Sequence, residues 1–202
     1  MDFIAFDIET TGTVAGVDRI VEICAVKFIS GTVDSVYSTL IDPQRSIPPG
    51  ASAVNGISDE MVRGKPLIDE ILPSLTEFAG SYPLVAHNAP FDTQFLIADF
   101  QRHEISTPAG VILDTLPMAR KVLPGLANYK LSTIVQYLKL QAGQFHRAEQ
   151  DAVSCGQVFL ELVKRISVGG QAPQLMHLVA LTGKPEGRFP LVERQPKQLS
   201  LI

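Results

Sequence analysis

Phe3-Ile4-Ala5-Phe6-Asp7-Ile8-Glu9-Thr10-Thr11-Gly12 is an apolar run that ends in two acids and a glycine. Residues 2–8 read as a strand with a buried face, and Gly12 and Gly16 end it. Side chains two apart share one face of a strand, so Asp7 and Glu9 point the same way. The apolar flanks make this a central strand that opens at the edge of the sheet. Two neighbouring carboxylates repel each other and are tolerated in water or around a cation. A solvated strand end and a cation site both fit this stretch taken alone.

The elements outward from that strand set the fold. Ile20 to Ile29 is β-branched and reads as a second strand. Ser30-Gly31 is a turn, and Thr32 to Ile41 reads as a third strand, which completes a meander. Pro43, Pro48, Pro49 and Gly50 predict a loop. Ser58-Asp59-Glu60-Met61 fits a helix start. Leu67 to Ala79 carries apolar residues at helical spacing. Leu84 to Ala86 is a short buried strand, followed by a helix that begins near Ala89. Val111 to Leu113 is a fifth strand, and Asp114 after it can cap a helix through Arg120. Leu131 to Leu138 and Ala148 to Ile166 read as helices. This order predicts an α/β fold, with a mixed five-stranded sheet flanked by helices. Gly169 to Pro173 looks like a domain end, so the expected division is a body over 1–168 and an extension over 169–202. The extension should hold a short helix at Leu175 to Leu181 and then an extended, mobile terminus.

Composition narrows the function classes. The chain has 202 residues, 46% of them hydrophobic and 19% charged, enough for one full core. Cys24 and Cys155 lie far apart without metal-ligand spacing and read as reduced, buried thiols of a cytoplasmic protein. No stretch approaches the roughly 20 apolar residues of a membrane helix, and no secretory leader is expected. The net charge of −4 argues against tight, sequence-independent gripping of long duplexes. Metal-binding carboxylates would supply several of those charges, and bound cations would reverse them locally.

Two further fragments add chemistry. His87-Asn88-Ala89-Pro90-Phe91-Asp92 places Asp92 where a buried strand passes into a helix with Pro in its first turn. His146-Arg147-Ala148-Glu149-Gln150-Asp151 places Asp151 in the first turn of the long final helix. Each acid alone could serve the helix dipole. His146 has the near-neutral pKa that suits proton abstraction from water. As a set, four carboxylates and a histidine suit two hard divalent cations, Mg²⁺ or Mn²⁺, beside a general base. Two such ions about 4 Å apart stabilise both oxygens of an in-line displacement at phosphorus.

With these motifs in order, the chain resembles the DEDDh 3′–5′ exonucleases of the ribonuclease H-like superfamily. It is most similar to the proofreading (epsilon) subunit or domain of bacterial DNA polymerase III. The likeness runs from about Asp2 to Ile166. It rests on the three fragments above, on Val-Asn-Gly-Ile-Ser at 54–58 and on Leu-Asp-Thr-Leu at 113–116. It implies a three-layer fold and metal binding by Asp7, Glu9, Asp92 and Asp151, with Asp7 bridging. It implies His146 as general base. Thr10 and Thr11 fall where the family meets the terminal nucleotide, and Ile57 matches an apolar wedge against the last base or is an ordinary loop anchor. His87, Asn88 and Phe91 border the site, and Asn88 fits either an orienting role or a turn cap. Where many relatives have His-Lys-Leu, this chain has Tyr129-Lys130-Leu131.

The implied activity is release of nucleoside monophosphates from single-stranded DNA 3′ ends, in proofreading or repair within a bacterial cytoplasm. An exoribonuclease of the same branch is the alternative, because contacts to the 2′ position decide the sugar. A non-catalytic replisome or clamp adapter is the other. The end, Gln198-Leu199-Ser200-Leu201-Ile202, resembles the Gln-Leu-x-Leu-Phe peptide with which bacterial replication proteins bind the sliding clamp. Gln198, Leu199, Leu201 and Ile202 would make that contact.

Overall fold

The computed structural model describes residues 1–140, 147–182 and 187–192. Strands β1 (Phe3–Thr10), β2 (Ile20–Ile29) and β3 (Thr32–Leu40) form the expected antiparallel meander. Strand β4 (Leu84–Ala86) joins β1 in parallel on its other side, and β5 (Ile112–Asp114) extends β4, also in parallel. The order across the sheet is β3-β2-β1-β4-β5, so β1 is its centre.

Helices cover both faces, as the alternation of β1 dictates. Phe3 and Ala5 join Cys24, Val26 and Phe28 of β2 in one core. That core lies beneath α5 (Thr115–Val122), α6 (Leu131–Tyr137), α7 (Ala148–Ile166) and α8 (Leu175–Thr182). Ile4, Phe6 and Ile8 join the opposite core, with α3 (Ile68–Ala79) and α4 (Ala89–Arg102). The Phe3 ring stacks on Phe28 at 4.9 Å and meets the edge of Phe159 from α7 at 4.8 Å. This is the mixed α/β, three-layer architecture that the element order implies.

The chain between β3 and α3 departs from the expected loop. Pro49–Asn55 is a helix, α1, with Pro48 in the N-cap position and Gly56 closing it at φ 71°. Proline fits a first helical turn, where the missing N–H has no partner to lose, and glycine tolerates the left-handed closing residue. Asp59–Val62 forms the short α2. Ser58 sits at its N-cap without a side-chain cap bond, and Asp59 instead accepts the Ile47 N–H at 2.7 Å.

The segment after α7 packs against the body. Leu178 and Val179 of α8 enter the α7-side core. Lys121 donates to the carbonyls of Leu181 at 2.8 Å and Ala180 at 3.3 Å. Phe189 is buried against Phe100, with centroids 5.8 Å apart. Arg188 donates to the Ala109 carbonyl at 2.8 Å. Residues 187–190 are thus docked beside β5, where the sequence reading expected mobility. The clamp-like residues Gln198, Leu199, Leu201 and Ile202 lie outside the described residues.

Candidate active site

Residue parity on β1 brings the acids together. Asp7 and Glu9 continue the Phe3 and Ala5 face, the one that α7 covers. Asp151 stands in the first turn of α7. Asp7, Glu9 and Asp151 each offer a carboxylate oxygen, and the three lie within 4.8 Å of one another. Asp92 arrives from the first turn of α4, is 3% exposed, and accepts the Ile8 N–H of β1 at 3.1 Å. The β1 backbone therefore ties Asp92 to the strand that carries the other two acids.

The cluster is electrostatically loaded. Burial pushes the Asp7 carboxyl well above the usual carboxylate range, and Asp92, Asp151, Glu9 and Glu22 push it further. Burial first, then Asp151 and Glu22, raises Glu9 to about 7 against the pull of Arg147. Burial raises Asp92 to about 8, although N–H donors hold it down. Closely placed acids in a poorly hydrated site accept either shared protons or a cation. The donors are all carboxylate oxygens, the set that hard divalent ions prefer. The residues therefore fit such ions.

Glu22 is a site feature that the sequence reading missed. It pairs with Glu9 across β1 and β2 and, like Cys24, faces α7. Its carboxylate is 3% exposed and accepts from Arg147 Nη2 at 2.9 Å and the Ala148 N–H at 3.1 Å. Arg147 lies just before α7, and its carbonyl accepts the Asp151 N–H at 3.0 Å. A lone acid in the apolar run Ile20-Val21-Glu22-Ile23-Cys24 is the signal that could have found it, since a buried carboxylate needs a partner.

The remaining expected residues divide by location. Thr10 and Thr11 are buried at the end of β1. Thr10 donates to the Gly12 carbonyl at 2.5 Å, and Thr11 accepts the Arg19 N–H at 3.0 Å. Ile57 is fully buried in a small cluster with Val21, Ile47 and Val62. His87 has both ring nitrogens engaged, with Thr115 Oγ1 at 2.8 Å and the Tyr129 carbonyl at 2.9 Å. Burial holds its pKa below the usual histidine value. Asn88 is exposed in the left-handed region at φ 63°, and its N–H donates to Asp114 at 2.9 Å. Asp114 also caps α5 through the Leu116 N–H at 2.9 Å, as expected. His87, Asn88, Phe91 and Asp151 line one cleft. His146 lies outside the described residues.

Residues 4–159 match the exonuclease (RNase_T) family. The chain belongs to this family. DNA polymerase III subunit epsilon of Treponema pallidum is 40% identical over 163 residues, 80% of this chain and 76% of that protein. The PolC-type DNA polymerase III of Caldanaerobacter subterraneus is 36% identical over 165 residues, 82% of this chain. The chain spans 12% of the length of that polymerase. Among solved structures, exonuclease X in complex with 5′ overhanging duplex DNA superposes with a TM-score of 0.70 at 29% identity. That alignment covers 90% of this chain and 99% of that one. Exonuclease I of E. coli with a dA16 oligonucleotide shares the fold at a TM-score of 0.70 and 20% identity, over 81% of this chain and 40% of the other. This exonuclease is accordingly a nuclease similar to the polymerase III epsilon chains.

Proposed function

We propose that this exonuclease is a divalent-cation-dependent 3′–5′ exonuclease that shortens single-stranded DNA ends and releases nucleoside monophosphates. The observation that carries the reading is the meeting of Asp7, Glu9 and Asp151 oxygens within 4.8 Å, with Asp92 anchored to the same strand. Asp7, Glu9, Asp92 and Asp151 would hold two Mg²⁺ or Mn²⁺ ions. Bound there, the ions would supply charge stabilisation at the phosphoryl oxygens and lower the pKa of water. His146 serves as the base that takes the proton of the attacking water. Thr10 and Thr11 close β1 beside Glu9 and would shape the end of the site from beneath, their hydroxyls being engaged with the Gly12 carbonyl and the Arg19 N–H.

The relatives favour a place beside a replicative polymerase, in proofreading or repair in the bacterial cytoplasm, and the DNA in the exonuclease X complex favours DNA over RNA. Residues 1–168 are the exonuclease unit in this reading. Residues 169–202 are an extension whose Gln198 to Ile202 end docks on the sliding clamp.

Single-stranded DNA and RNA of matched sequence, labelled at either end and incubated with Mg²⁺ or Mn²⁺, test the proposal. Stepwise loss of nucleotides from the 3′ end of DNA is expected, with Asp7→Asn inactive. Internal cutting, 5′ shortening or full activity of Asp7→Asn would overturn it. Deletion of 198–202 should abolish clamp binding while leaving hydrolysis intact.

A further inference from the structure

Strands β1 and β2 set two glutamates directly opposite each other, Glu9 and Glu22. Like charges so placed repel. Arg147 divides them. Its guanidinium donates to Glu22 through Nη2 at 2.9 Å and Nε at 3.4 Å, so each oxygen of that carboxylate has a donor. Glu9 stays with Asp7 and Asp151 in the three-oxygen cluster, and Glu22 is not part of it.

Glu22 also holds a helix end. Arg147 occupies the N-cap position of α7 and makes no side-chain cap bond there. The first N–H groups of a helix have no intrahelical acceptor. Glu22 accepts one of them, from Ala148 at 3.1 Å. The Asp151 N–H in turn donates to the Arg147 carbonyl at 3.0 Å. The grip comes from a fixed point, because β2 is paired along both edges and Glu22 is buried. It acts one helical turn before Asp151, the acid that α7 brings to the sheet.

We infer that Glu22 is a positioning residue for the metal site: with Arg147 it sets the first turn of α7 where the Asp151 carboxylate meets Asp7 and Glu9. The inference rests on the metal-dependent reading above and extends it to a residue that touches neither ion nor strand. Groups that hold metal ligands in place from behind are worth roughly 10- to 100-fold in metal affinity or activity. A carboxylate suits the task because it takes the paired donors of a guanidinium and still accepts a backbone N–H.

Two measurements on the full chain test this. The first is Mn²⁺ affinity by titration calorimetry, at a temperature where every variant is folded. E22A should bind about tenfold more weakly. E22Q keeps an acceptor for Ala148 but not the paired acceptors for Arg147, and should fall between E22A and wild type. In a D151N background, titrated at higher Mn²⁺, E22A should change the affinity by less than about twofold, because Glu22 acts through Asp151. Wild-type affinity in E22A, or an equal loss with and without the Asp151 carboxylate, would overturn the inference. The second is hydrolysis of a single-stranded 12-mer over a Mg²⁺ series. At low Mg²⁺ the kcat of E22A should fall about tenfold and recover as Mg²⁺ rises, with KM for the strand unchanged. A loss carried by KM, or one indifferent to Mg²⁺, would overturn it. A wild type that binds Mn²⁺ but leaves the 12-mer intact overturns the exonuclease reading instead, while the Mn²⁺ titrations still decide the role of Glu22.

Discussion

Glu22 of β2 binds Arg147 at 2.9 Å and so fastens the start of α7 to the sheet. The same carboxylate takes the Ala148 N–H, one of the donors that a helix start leaves without an intrahelical partner. Glu22→Ala strips both interactions and leaves a buried N–H unmet. With Arg147 part-exposed and screened, the cost should be about 1–3 kcal/mol by urea unfolding. Glu22→Gln keeps an acceptor for Ala148 and should lose less. Equal losses in the two variants would show that charge alone matters.

The metal-free site should grow less stable as pH rises. Glu9 titrates at about 7 in the folded chain against an ordinary value of 4.5, and Asp92 at about 8 against 3.8. Below both ordinary values the folded and unfolded chains are protonated alike. Between the ordinary and the raised values the folded chain keeps protons that the unfolded chain has released, so raising pH favours unfolding. Tm in EDTA should therefore fall from pH 5 to pH 8, and added Mg²⁺ should raise Tm more at pH 8 than at pH 5. Scanning calorimetry decides this, and an equal Mg²⁺ shift at both pH values would contradict it. Asp7→Asn should stabilise the metal-free chain by about 0.5–2 kcal/mol and abolish the Mg²⁺ shift, since active-site residues are often kept at a cost in stability.

Gly156 of α7 lies directly against the Phe28 ring of β2. A Cβ there would fall within the ring edge of Phe28, which stacks on Phe3. Gly156→Ala gains helix propensity worth about 1 kcal/mol. The crowding of a closed core should outweigh that gain, for a net loss of about 1–2 kcal/mol by thermal unfolding. A variant as stable as wild type would mean that the Phe28 ring yields.

Asn55 ties α1 to the site. It is 2% exposed, donates to the Thr10 carbonyl at 3.3 Å and accepts the Ile57 N–H at 3.0 Å. Asn55→Ala should cost about 1–2 kcal/mol. It should also raise amide exchange across residues 49–57, and unchanged exchange there would assign the anchoring to the Ile57 cluster alone.

These residues mark where the sequence was legible. The strands and α7 were readable because their burial is written as period and as β-branched runs, and that parity also set Asp7 and Glu9 toward α7. Helix α1 was not readable: Pro48-Pro49-Gly50 is loop composition, and the helix is anchored by a remote carbonyl on Thr10. Glu22 escaped for a similar reason, since its partner lies 125 positions away in the chain. The burial of Ile57 was not readable either, since it depends on Val21, Ile47 and Val62, which come from separate stretches. The docking of Phe189 on Phe100 likewise carries no local mark.

The central position of β1 has a consequence for biosynthesis. Asp7 and Glu9 leave the ribosome before Asp151, which faces them from α7. A growing or prematurely terminated chain therefore holds Asp7 and Glu9 without Asp151. On this reading the carboxylate site is complete only once α7 has closed over the sheet and brought Asp151 to Asp7 and Glu9.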